Sequence, residues 1–182
     1  MADSSNLPLS GINVVEFTHM VMGPTVGCIL ADLGADVIKI EPLKGDNTRR
    51  LIGSGSGYFP MFNRNKRSIS LDLKNKIGHG VALDLIKKAD VVIENFRPGA
   101  MDKLGLGYED LQKINNGLIY CSEKGFLSGP YEHRTALDEV AQMMGGLAYM
   151  TGPPGQPLRA GSSVIDIAGG MFGVIGILSA LV

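Results

Sequence analysis

The chain has 182 residues, with 17 Lys and Arg set against 18 Asp and Glu, for a formal net charge of −1. That balance supplies no field to draw in a nucleic-acid backbone and argues against a dedicated nucleic-acid binder. With 45% hydrophobic and 19% charged residues, the chain is too apolar to stay disordered and long enough to bury one core.

Cys28 and Cys121 are the only cysteines and make no disulfide framework. His19, His79 and His133 show no metal-ligand spacing with them or with each other, so a metal site is not expected. A reduced, cytoplasmic setting fits best, with mitochondria or peroxisomes as the alternatives for a eukaryotic source. The opening MADSSNLPLSG has neither a basic nor an apolar signal region. Residues 1–10 read as a polar lead-in, and residues 11–182 as one α/β domain.

Residues 12–17 (INVVEF) are a β-rich run, followed by a loop and an apolar-periodic stretch, TVGCILADL. Pro24 suits a first helical turn, and Gly34 suits the left-handed residue past a helix end. ADVIKIE (35–41) then reads as a second strand. The three pieces make a βαβ unit with parallel strands and a right-handed crossover. Residues 42–65 read as a long loop, 68–73 (SISLDL) as a strand, and 80–89 as a helix burying Val81, Leu85 and Ile86. Residues 90–96 (DVVIENF) follow as an apolar strand. A short helix over 108–114, a strand in GLIYCSE, a helix over 136–149 and a loop over 153–161 continue the alternation.

From Ile167 onward the last 16 residues carry no charge. A membrane span needs about 20 apolar residues, although Gly169 and Gly173 match a helix-pairing GxxxG. The preferred expectation is a helix buried all round, with no capping signal after Leu181-Val182, as if the sequence stopped inside an element.

Asp166, at the entry to this helix, has two readings. It can cap the first turn, where the helix dipole favours its ionised form. Alternatively, Gly169 and Gly170 clear the next turn so that a substrate reaches a nucleophilic carboxylate. Arg64-Asn65-Lys66-Arg67, with Arg49, Arg50 and Lys74, could clamp an anion or form a solvated loop. GSGSG (53–57) does not link a strand to a helix and reads as flexible loop. Glu41 sits where a nicotinamide enzyme holds a ribose, but no glycine fingerprint follows the first strand. His19 is either catalytic or a loop hydrogen-bonder.

Five ordered stretches together resemble one family: LSGINVVEFTHMVMGP, LADLGADVIKIE, FNRNKRSISLDLK, ADVVIENFRPGAMDKLGLGYEDL and VIDIAGG. They are similar to the N-terminal half of the class III CoA-transferases, a group that includes formyl-CoA transferase, carnitine CoA-transferase and the α-methylacyl-CoA racemases. The resemblance implies an α/β CoA-binding domain with a parallel, Rossmann-like sheet and helices on both faces. It also implies a homodimer of interlocked subunits in the full-length form, and a second domain that this sequence lacks.

By position, Asp166 matches the transferase nucleophile. His19, Met20, Met22, Leu71, Lys74, Asn95, Phe96, Arg97, Ala100, Lys103 and Leu104 match CoA contacts, while Thr135 to Asp138 match the segment beside the reacting acyl group. The implied ligands are acyl-CoA and a carboxylic acid acceptor, as substrates. The implied chemistry passes through an aspartyl mixed anhydride and an aspartyl-CoA thioester, with no permanently bound cofactor. The racemases place a histidine where this chain has Leu137, so one of their two proton-transfer groups is missing. Formyl-CoA transferases place glutamine, tyrosine and arginine where this chain has Val21, Leu137 and Pro42, which weakens a formyl or oxalyl assignment. A non-catalytic CoA-binding fragment is the alternative from another class.

Overall fold

The computed structural model describes residues 7–182; of the lead-in, residues 1–6 lie outside this range. Residues 7–10 form a turn that places Leu9 in the core, and its N–H donates to the Leu33 carbonyl at 2.9 Å.

Five parallel strands form one sheet: β1 (Asn13–Phe17), β2 (Asp36–Glu41), β3 (Arg67–Ser70), β4 (Val91–Glu94) and β5 (Ile119–Ser122), in the order β3-β2-β1-β4-β5. Val14 of β1 pairs with Val37 on one side and Val91 on the other. The expected parallel α/β fold is present. Both faces are covered, which is why the central strands read as apolar runs without strict alternation. One face packs Val14, Val37, Val91 and Ile93 against helix α1 (Met22–Asp32) and helix α7 (Val164–Leu181). The other packs Val15, Phe17, Ile40 and Val92 against helix α3 (Lys76–Ile86) and the segment holding Met101, Leu106 and Leu111.

Pro24 lies in the first turn of α1 and Gly34 has φ of 105°, as the sequence implies. Several boundaries differ. Helix α3 starts at Lys76, four residues earlier than expected, because the Asn75 side chain caps it by accepting from the Ile77 N–H at 2.9 Å. Ala82 and Ile86, rather than Val81 and Leu85, are its fully buried residues. Residues 42–65 are not one loop: they hold two short 3₁₀ turns and helix α2 (Tyr58–Phe62). GSGSG contributes one of those turns. Helix α4 (Tyr108–Leu111) is short. The helix expected over 136–149 is two, α5 (Asp138–Met144) and α6 (Leu147–Thr151), separated at Gly145-Gly146, where Gly146 takes φ of 82°.

Helix α7 is not buried all round. Gly170, Val174 and Ile177 face inward, whereas Met171, Phe172 and Ile175 are exposed. By length and composition alone it could cross a membrane. Its glycines serve packing on α1: a Cβ on Gly170 would lie 2.8 Å from the Met22 carbonyl oxygen, and one on Gly169 would lie 3.0 Å from Met22 Cε. The expectation that Gly169 and Gly170 open the turn to substrate is therefore corrected. The neighbouring helix fills that space.

Candidate active site

In an open parallel sheet, ligands bind outside the carboxyl ends of the strands where the strand order reverses. Here the chain runs outward from β1 through β2 to β3, then crosses back to place β4 on the other side of β1. The loops after β1 and β4 meet at that point and are tied reciprocally. The His19 N–H donates to Asn95 Oδ1 at 3.0 Å, and Asn95 Nδ2 donates to the His19 carbonyl at 2.8 Å. The His19 ring lies 5.6 Å from the Phe96 ring, and burial lowers its pKa, so it is neutral near pH 7. Met20 holds the left-handed φ of 63°, unusual outside glycine, with its N–H donated to Thr48 Oγ1 at 3.0 Å.

Three adjoining clefts run over this edge. The first, of about 160 Å³, is lined by His19, Met20, Met22, Asn95, Glu123, Leu137, Asp138 and Asp166. The second, of about 210 Å³, shares His19 and Asn95 and adds Phe96, Arg97 and Thr135. The third, of about 530 Å³, shares Phe96 and adds Leu71, Lys74 and Leu104 beneath the loop after β2. The structure thus brings together, along one edge, nine of the eleven residues expected to contact CoA, with Thr135 and Asp138 of the segment expected beside the acyl group and with Asp166 at one end. Ala100 and Lys103 line none of the three; they sit in the turns after β4.

Asp166 is the third residue of α7 and half-buried. It does not cap its helix. Asp138, at the start of α5, reaches across instead: its Oδ1 accepts from the N–H groups of Ile165 at 2.8 Å and Asp166 at 3.2 Å. The Asp166 carboxylate takes no hydrogen bond from any described residue. Burial first, then the nearby Asp138 charge, push its pKa up to about 6, against a smaller opposing pull from Arg159. The capping reading of Asp166 is not what the structure shows: Asp138 takes the first-turn amides, and burial with the Asp138 charge makes the Asp166 carboxyl less acidic than usual.

Other expected binding groups are engaged elsewhere. Glu41 accepts two bonds from Arg49 (2.8 and 2.6 Å), one from Ser68 Oγ (2.6 Å) and one from the Asp46 N–H (2.7 Å). Burial alone raises its pKa, but these bonds outweigh it and hold Glu41 at about 2. No lone pair is left free for a ribose. The basic run is not an anion clamp: Arg64 pairs with Asp32, Arg67 with Asp36, and the buried Lys66 with Glu16. Lys74, by contrast, has no ion-pair partner among the described residues and faces the third cleft.

Residues 9–182 match the family described as CoA-transferase family III. The chain belongs to that family. It is 48% identical over 96% of its length to an acetyl-CoA:oxalate CoA-transferase from Acetobacter aceti, spanning 46% of that protein. It is 45% identical over 96% of its length to a succinate–glutarate CoA-transferase from Agrobacterium fabrum, spanning 47% of it. A solved CAIB/BAIF family protein from Brucella suis superposes with a TM-score of 0.91 at 46% identity, covering 97% of this chain and 49% of that one. The chain therefore spans about half the length of the family III relatives it matches.

One residue in the site escaped the sequence reading. Glu123 follows β5 as Asn95 follows β4, and it lines the first two clefts. It accepts the Cys121 S–H at 3.3 Å and has no cationic partner among the described residues. Burial, with a smaller push from Glu94, raises its pKa. A Cβ on Gly173 would lie 2.1 Å from its Oε1, so the glycine makes room for the carboxylate. Its place at the carboxyl end of a parallel strand was the available signal. Among the described residues, no group of three or more His, Cys, Asp or Glu side chains is arranged to hold a metal ion.

Proposed function

We propose that this chain forms the CoA-binding, nucleophile-bearing part of a CoA-transferase that moves CoA from an acyl-CoA to a free carboxylic acid, with Asp166 as the nucleophile. The observation that carries the reading is the Asp166 carboxylate, half-buried and without a hydrogen bond from any described residue, at one end of the edge formed at the β1/β4 reversal. A carboxylate is a weak nucleophile, and desolvation without bonding partners makes it more basic and more reactive while leaving it mostly ionised at neutral pH.

In the proposed route, Asp166 Oδ bonds to the thioester carbonyl carbon and the carbon–sulfur bond breaks, its electron pair leaving with the CoA thiolate. The thiolate attacks Asp166 Cγ, giving an aspartyl-CoA thioester and releasing the donor acid. The acceptor carboxylate attacks the same carbon and expels the thiolate again, which then attacks the new acyl carbon and restores Asp166. Each intermediate keeps the acyl transfer potential provided water is excluded. Leu137, exposed in the first two clefts where a racemase histidine stands, supports transfer over racemisation. Relatives named for oxalate, succinate and glutarate favour a short dicarboxylic acid as one substrate. On the same family resemblance, the full-length protein is read as a homodimer.

The test is intact-protein mass spectrometry of the full-length protein mixed with acyl-CoA thioesters, then hydroxylamine. A hydroxylamine-sensitive adduct on Asp166, absent in Asp166→Ala, is expected. Tight CoA binding with no adduct on any residue would turn the reading toward a non-catalytic CoA-binding module.

A further inference from the structure

Asp138 and Asp166 share one cleft and divide two roles that a single carboxylate at a helix start ordinarily combines. A carboxylate in the first turn normally accepts the unpaired amide hydrogens there, and each such bond ties up a lone pair and lowers basicity. In α7 those bonds go to a residue 28 positions earlier in the chain. Asp138, only 8% exposed, accepts the Ile165 and Asp166 N–H groups through Oδ1, and its Oδ2 accepts from Gln142 Nε2 and faces Arg159 at 3.5 Å. Gln142 is fully buried and fixed in turn, its Oε1 accepting the Ala160 N–H at 2.6 Å. The clasp joins α5, the loop before α7, and α7 itself.

We propose that Asp138 is a positioning residue for Asp166: it caps α7 from α5, takes the amide hydrogens that Asp166 would otherwise bind, and so leaves the Asp166 lone pairs free to attack. Asp138, expected in the segment beside the reacting acyl group, is thereby given a role as a support of the nucleophile. The proposal rests on the reading of Asp166 given above. The charged groups around Asp166 are Asp138 from α5 and Arg159 from the preceding loop, with Glu123 and His19 lining the same cleft.

The test titrates Asp166 in the full-length protein by its carboxyl ¹³C shift, alongside the pH profile of acyl-CoA-dependent labelling, in wild type, Asp138→Asn and Arg159→Gln. In Asp138→Asn the titration moves to lower pH by about one unit, because a like charge is lost. The labelling rate well above that limb falls severalfold, with CoA affinity unchanged. In Arg159→Gln, an exposed site suited to substitution if Asp138→Asn does not fold, the titration moves to higher pH. A titration unmoved in both variants overturns the proposal and leaves Asp138 a structural clasp only. Absence of labelling in wild type would sink the nucleophile reading separately, since the ¹³C titration does not require acyl transfer.

Discussion

Two sets of acidic residues at the carboxyl edge of the sheet make opposite use of burial. Glu16, Glu41 and Glu94 stand at or next to the ends of β1, β2 and β4, and all are almost completely buried. Each is saturated: Glu16 by Lys66 at 2.9 and 3.0 Å and by Thr18, Glu41 by Arg49 and Ser68, Glu94 by Lys124, Ser122 and the Phe96 N–H. Asp166 and Glu123 lie less deep, yet among the described residues neither has a cation to itself, and both have raised pKa values. The paired set holds the loops that form the site, and the unpaired set lines the first cleft. Depth alone therefore does not single out candidate reactive groups; buried charge without a dedicated partner is the better pointer.

The contrast can be broken at either end. The largest effect belongs to Asp166→Ala, which removes the proposed nucleophile and is expected to abolish both adduct formation and CoA transfer, read by mass spectrometry and a coupled thioester assay. Next is Glu16→Ala, which strands the buried ammonium group of Lys66 and takes from Lys39 one of its two carboxylate partners, leaving it Asp46. It should cost about 3–5 kcal/mol in urea unfolding, and a loss under about 1 kcal/mol would mean the edge carboxylates are not structural. Gly170→Ala pushes a methyl toward the Met22 carbonyl and Thr25, separating α7 from α1 at a cost of about 1–3 kcal/mol.

The smallest effect sharpens the comparison most. The pKa of Asp166 is raised on folding, so its ionisation opposes folding as pH climbs from about 4 toward about 6. Asp166→Asn removes that opposition and should stabilise the fold at neutral pH by about 1 kcal/mol, after allowing for partial exposure, with no gain at pH 4. Glu41 carries the opposite sign. Its contribution is present above the ordinary glutamate range and is lost as pH falls toward about 2, so Glu41→Gln should flatten the acid limb of the stability curve.

Much of this arrangement is legible in the sequence because it depends on local patterns. INVVEF, ADVIKIE and DVVIENF show the central strands through their apolar runs, and the polar residues that follow them, His19 and Asn95, fall at the reversal point. What escapes the sequence is set by partners far along the chain. Nothing near Asp166 announces that its helix is capped from Asp138, and nothing in the run from Arg64 to Arg67 shows that its charges are met by Asp32, Glu16 and Asp36. The break at Gly145-Gly146 was in plain view, but a helix can tolerate glycine, and only the left-handed Gly146 decides the matter. The missing charge at the C-terminus was read as burial on every side, whereas close approach through glycine buries one stripe and leaves Phe172 and Ile175 outward.

The reciprocal bonds between His19 and Asn95 join the two halves of the sheet across the seam where a ligand would lie. Loops tied in this way cannot open independently, so both walls of the crevice keep their spacing before anything arrives. A molecule that spans them meets a surface already set, and little conformational freedom remains to be lost on docking. In hydrogen exchange, the His19 amide should be slow for a loop position, reporting the rigidity of the crevice itself.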